Sequence, residues 1–285
     1  MQQRKGNFVF VGGTHGIGRA AAMATARGGS AILLVARNKD AGDAAVRDMI
    51  VAGAREAQFL AADLSTVAGM KAAADGIMAW KPQLHGLTHS AMSAFGHKIV
   101  TPDGLEFAFA IQYLARAIIN RLCVAQLAAS GDGRIVHIAG AVPYKMARPV
   151  LDDLQFERRK WSFFKAILTT HVQGFEFLDE AARQWADLPV RLYATGVGST
   201  KTKAMQDPDM PLIMRIMARF GTTPDKSARN AIRLLLDAEP PALKVAILPK
   251  PDRFTPEPMD VPAAEAAALW DITTALSARH GVILP

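Results

Sequence analysis

The chain has 285 residues, 50% of them hydrophobic, which suits a single α/β domain with a sizeable core. Its one cysteine, Cys123, excludes an internal disulfide and reads as a small apolar core residue in a reducing, cytoplasmic compartment. No apolar run nears the roughly 20 residues of a membrane span, and the N-terminus has no apolar signal region. The net charge of +7 comes from scattered Lys and Arg without interleaved aromatics. That pattern argues against nucleic acid and suits attraction to a phosphorylated small molecule.

Taken in chain order, a strand at 7–11 runs into glycines and an alanine-rich helix at 16–27. A second strand at 31–36 is closed by Arg37-Asn38 and followed by a helix to about 52. A third strand at 56–61 leads to Asp63, with Ser65 expected to cap the next helix. Strands at 85–90 and 134–138 are separated by a long helix over 103–129. A further helix reaches about 186, and a strand follows at 190–195. Strands alternating with helices at this spacing make βαβ units. The expected fold is therefore a single Rossmann-type, doubly wound parallel sheet with helices on both faces, one domain over 1–285. The proline-rich stretch 249–262 reads as a surface excursion before a last helix at 263–278, together a C-terminal extension over 249–285.

Val11-Gly12-Gly13-Thr14-His15-Gly16-Ile17-Gly18 lies between the first strand and the first helix. Glycines there permit a tight turn and let backbone N–H groups approach a pyrophosphate at the positive end of the helix. The second strand ends in Arg37, where an NAD-binding chain would place an acid against the ribose hydroxyls. An arginine suits a 2′-phosphate, with His15 as a helper if protonated, so NADP(H) is the expected cofactor.

These residues, with Asp63-Leu64-Ser65, make the chain resemble the short-chain dehydrogenase/reductase family, and its retinol-dehydrogenase-like branch in particular. Thr101-Pro102-Asp103-Gly104-Leu105-Glu106, Asp152-Asp153-Leu154, Val197-Gly198, Thr202 and Thr223-Pro224 extend the similarity over roughly 7–248. The resemblance implies that Asp63 and Leu64 flank the adenine and that Thr202 reaches the nicotinamide carboxamide or a phosphate. It also implies that Ser90, Ala91 and Gly198 line the cofactor, and that copies associate through the two long helices.

The same resemblance implies a relay of Asn, Ser, Tyr and Lys, with Tyr and Lys four apart on one helix so that both enter one cleft. Here the serine position holds Gly140 and the asparagine position Gln112. Two registers compete for the helix. Trp161 to Lys165 keeps an aromatic and a lysine, but Lys165 lies 33 residues before Gly198 and requires an insertion. The preferred register needs no gap and puts Ile167 at the tyrosine and His171 at the lysine. Neither Gly nor Ile donates a proton from its side chain. His171, with an ordinary pKa near 6.5, and Tyr144 are the candidate replacements, ahead of Lys145, His97 and Asp152. His89 and His137 read as structural, and the seven histidines show no ligand spacing, so no metal site is expected.

Met205, Met210, Leu212, Ile213, Met214, Ile216, Met217 and Phe220 make the segment 200–222 apolar on one side. The resemblance implies a substrate lid here, and the methionines suit a hydrophobic ligand; the alternative is a helix packed on the core or on a partner subunit. Three functions stay open: an NADP(H)-dependent oxidoreductase on a hydrophobic carbonyl or alcohol with a non-standard proton donor; a non-redox cyclase, isomerase or lyase; and a non-catalytic NADP(H) sensor.

Overall fold

The computed structural model describes residues 4–92 and 95–285. Seven strands form one parallel sheet: β1 (Asn7–Val11), β2 (Ala31–Ala36), β3 (Glu56–Ala61), β4 (Gly86–His89), β5 (Gly133–Ala139), β6 (Val190–Gly196) and β7 (Val245–Leu248), in the order β3-β2-β1-β4-β5-β6-β7. The order reverses between β1 and β4, which opens a crevice at the carboxyl ends of those strands.

Side-chain alternation along β1 explains the two layers. Phe8 and Phe10 pack on one face with α1 (Gly16–Arg27), α2 (Lys39–Val51) and α7 (Pro224–Leu236). Val9 and Val11 pack on the other with α3 (Val67–Trp80), α4 (Ala115–Ala129), α5 (Phe163–Gln184) and α8 (Ala263–Arg279). Strands buried on both faces are what helices on both sides of a parallel sheet require. Cys123 lies in the second cluster, and burial pushes its thiol up to about 12.

Several local expectations shift. Thr66, not Ser65, caps α3, accepting the Gly69 N–H at 3.1 Å, while the Ser65 N–H turns back to Asp63. The long helix does not begin at 103: Asp103 instead accepts the Val67 N–H and so helps cap α3. That helix opens with a π-helical turn, Phe109–Leu114, that runs into α4. β7 and the short α6 (Leu212–Arg219) were not individually legible. The proline-rich excursion is pinned where Glu257 and Ile247 exchange backbone hydrogen bonds at 2.8 Å. Beyond it, α8 lies over α4 and α5: Thr273 bonds the Tyr113 hydroxyl, Thr274 accepts from Arg121, and Trp270 stacks on Phe177.

Candidate functional site

The glycine loop is shaped by close approach on both sides. Gly12 has φ +93°, and a Cβ there would lie 2.3 Å from the Ala91 nitrogen. At Gly18 a Cβ would fall 1.9 Å from Ser90 Oγ, and at Gly16, with φ +57°, it would sit 3.3 Å from Thr202 Cγ2. The loop thus meets the end of β4 and the loop after β6, bringing Gly12, Gly16, Gly18, Ser90, Ala91 and Thr202 together. His15 is the N-cap of α1 but makes no side-chain capping bond, which leaves first-turn N–H groups for an anion. Its Nδ1 shares a 3.1 Å hydrogen bond with Thr14 Oγ1. A cavity of about 400 Å³ opens beside the loop, lined by Thr14, His15, Gly16, Arg19, Lys201 and Lys203 among others.

The remaining nucleotide candidates sit along the same sheet edge. Arg37 is exposed at the end of β2, and Asn38 beside it caps α2 through the Ala41 N–H at 2.8 Å. Asp63 is exposed after β3, Leu64 is buried, Ile17 is half-buried, and Gly198 is exposed after β6. Thr202 Oγ1 accepts the Met205 N–H at 3.3 Å.

At the far end of the crevice, His171 and Gly140 are neighbours: a Cβ on Gly140 would lie 3.2 Å from His171 Cδ2. Lys165 is exposed in the first turn of α5, so the imidazole and not that ammonium adjoins the end of β5. Burial first, and then Arg116, lowers His171 to about 3. An imidazole held neutral to such acidity is no proton donor at neutral pH, which removes the acid role expected from an ordinary histidine. His171 Nδ1 and both amide atoms of Gln112 are buried without a partner among the described residues. Ile167 is half-buried in a narrow apolar slot with Phe95, Phe107, Trp161 and Phe163.

Tyr144 is committed elsewhere. Its hydroxyl donates to Glu265 of α8, and burial together with that carboxylate pushes the phenol well above its usual range. Asp152 pairs with Arg158 at 2.6 Å on the surface, Lys145 is exposed, and His97 is an exposed residue at the rim of the apolar slot.

Three features escaped sequence reading. His89 Nε2 and His137 Nε2 both bond the Asn120 amide, at 2.8 and 2.9 Å, forming a buried chain under the crevice. Arg116 lies among them, 3% exposed, with Nη2 donating to the Ile138 carbonyl at 3.2 Å. Gln112, Arg116 and Asn120 recur every fourth residue on an otherwise apolar helix, a polar stripe that was there to be read. Glu176 is fully buried beneath α8, and burial, then Glu265, pushes it up to about 8.

Known proteins place these features in context. The short chain dehydrogenase family profile matches residues 7–151. A Streptomyces sp. protein named as a daunorubicin C-13 ketoreductase is 25% identical over 94% of this chain and 91% of its own length. Human retinol dehydrogenase 12 is 25% identical over 80% of this chain and 72% of its own. Among solved structures, L-sorbose reductase from Gluconobacter frateurii superposes with a TM-score of 0.67 at 18% identity, covering 87% of this chain and 95% of that one. With the glycine loop, the strand order and these similarities together, the chain belongs to the short-chain dehydrogenase/reductase family, on its retinol-dehydrogenase-like branch.

Proposed function

We propose that this protein is an NADP(H)-dependent oxidoreductase of a hydrophobic carbonyl or alcohol, working without the usual tyrosine–lysine pair. The observation that carries the reading is the glycine loop, packed so closely on Ser90 and Ala91 that no side chain fits at Gly12 or Gly18, ahead of a first turn of α1 without a side-chain cap. Backbone N–H groups of that loop and of the uncapped first turn of α1 suit a pyrophosphate. Gly12, Thr14, Gly16, Ile17, Gly18, Ser90, Ala91, Gly198 and Thr202 would hold the dinucleotide, with Asp63 and Leu64 at its adenine end. Arg37, and His15 when protonated, would meet a 2′-phosphate. When bound, the nicotinamide supplies hydride exchange.

The chain's own residues would bind and orient the substrate. His171 stays neutral and positions by hydrogen bonding, Gly140 leaves room, and Ile167 with its aromatic neighbours excludes water. Loss of a general acid costs typically 100- to 10,000-fold, and orientation can still supply about 7–11 kcal/mol. The exposed apolar face of α6 suits a hydrophobic substrate, and the lone buried thiol suits a cytoplasmic setting. A non-redox enzyme or an NADP(H) sensor is the second reading, favoured by the neutral His171 and the engaged Tyr144.

Titration with NADPH and NADH, followed by cofactor fluorescence, tests the reading. NADPH-selective binding that Arg37→Asp abolishes is expected. Failure to bind either cofactor would sink the oxidoreductase and sensor readings together.

A further inference from the structure

Arg116 is an unusual group to find under a cleft. It is 3% exposed, and among the described residues its one hydrogen bond goes to the Ile138 carbonyl and its Nε has no partner. No carboxylate pairs with it among the described residues, and burial alone, with no acid nearby, lowers its pKa to about 10. A buried cation without a counter-charge is strongly destabilising, so proteins retain one chiefly where a ligand completes it.

Its surroundings are polar and equally incomplete. Gln112, four residues earlier on the same helix, has both amide atoms buried and unpartnered. His171 Nδ1 is likewise buried and unpartnered among the described residues, while the Cδ2–Nε2 edge of its ring packs against Gly140 at the end of β5. Ile167, one turn before His171, lines the narrow slot, which as it stands holds only about 10 Å³, so an apolar chain reaching this cluster from that side would have to part the aromatic walls.

We infer that Arg116, with Gln112 and His171, forms a binding site for an anionic oxygen carried by an apolar molecule. This deepens the oxidoreductase reading and rests on it for the reaction. A bound reduced nicotinamide would supply hydride to a carbonyl carbon, and the Arg116 guanidinium would hold the oxygen onto which the C=O π pair moves. The alkoxide would then take its proton from bulk water as the product leaves the closed site, giving the alcohol and hydroxide. A cation in a dry site thus supplies the electrostatic part of the missing relay without supplying its proton. A carboxylate on an apolar chain has the same charged oxygen in its ground state, and would occupy the same place.

The test uses the full-length protein and Arg116→Met, which keeps bulk and removes charge. Calorimetry would compare decanoate with decanol in both proteins. We expect decanoate to bind the original protein at least about tenfold more tightly than decanol, given 1.4 kcal/mol per decade. That preference should vanish in Arg116→Met and survive within about tenfold in Arg116→Lys. The unliganded Arg116→Met protein should melt higher by a few degrees, because an uncompensated charge has gone; a purely structural arginine would melt lower. With NADPH and 2-decanone, kcat should fall about 100-fold with little change in KM, which separates an oxygen charged only during reaction from a standing carboxylate. Equal binding of decanoate and decanol by the original protein, or a preference retained in Arg116→Met, overturns the proposal. If Arg116→Met does not fold, Arg116→Lys decides, since loss of the preference despite its charge overturns it. NADPH titration of both proteins distinguishes failure of the anion site from failure of the redox reading: absent cofactor binding removes the redox reading and leaves the decanoate comparison standing.

Discussion

At the scale of single residues, the least comfortable groups are those taken furthest from water. Glu176 is fully buried with neither carboxylate oxygen bonded among the described residues, and its pKa is raised to about 8 against about 4.3 in an unfolded chain. Between those values the native state keeps a proton that the unfolded state releases, so stability falls as pH rises through that window. Glu176→Gln should flatten this alkaline limb and raise the melting temperature at pH 8 more than at pH 5, as thermal unfolding at the two values would show. His89 and His171 act in the opposite sense, both lowered to about 3, by burial first and then by Arg116. Below about pH 6.5 the unfolded chain takes up protons that these imidazoles refuse, so stability is lost as pH falls toward 3. Glu176→Gln should leave that acid limb in place. At the cofactor end, Arg37→Asp replaces an attraction to a 2′-phosphate by a repulsion. NADPH affinity should drop at least tenfold, with NADH affinity little changed in the same fluorescence titration. The Arg37 reading was available from sequence because its place after a strand fixes its neighbourhood. Glu176 was not, and of Arg116 only its place in the polar stripe was, because what surrounds both comes from other segments.

At the scale of elements, α6 is the part whose role depends most on what covers it. Leu212, Ile213, Ile216, Met217 and Phe220 are 48% to 87% exposed, while Ala218 faces inward. Replacing Leu212 and Phe220 by Ser should leave the melting temperature almost unchanged, since exposed positions usually shift stability by no more than about 0.5 kcal/mol. The same pair should raise KM for an apolar carbonyl substrate while leaving NADPH binding intact; an unchanged KM would remove α6 from the substrate site. The start of α2 bears on Arg37, because the Asn38 side chain holds the Ala41 N–H. Asn38→Ala should cost about 1 kcal/mol in denaturant unfolding. The apolar periodicity of 200–222 told of one oily face, and the structure turns its α6 part outward while burying Met210.

At the scale of the whole molecule, α8 decides what the long helices can offer to another chain. Trp270 stacks on Phe177 with ring centroids 5.5 Å apart and lies under the Arg121 guanidinium at 4.0 Å. Any association through α4 and α5, as the resemblance implies, has to displace this contact. Trp270→Ala should therefore cost about 3–5 kcal/mol of stability. Light scattering beside it would show whether uncovering that face makes copies associate. The sequence alone determined the parallel sheet, the glycine turn at Gly12–Gly18 and the basic residue after β2, because strand periodicity, glycine geometry and chain adjacency are local properties. Tertiary structure alone decided that Tyr144 answers to Glu265, that burial holds His171 neutral, and that Arg116 stands without a counter-charge among the described residues. Those outcomes depend on desolvation and on partners more than twenty residues away in the chain, and no local pattern carries the free energy of burial.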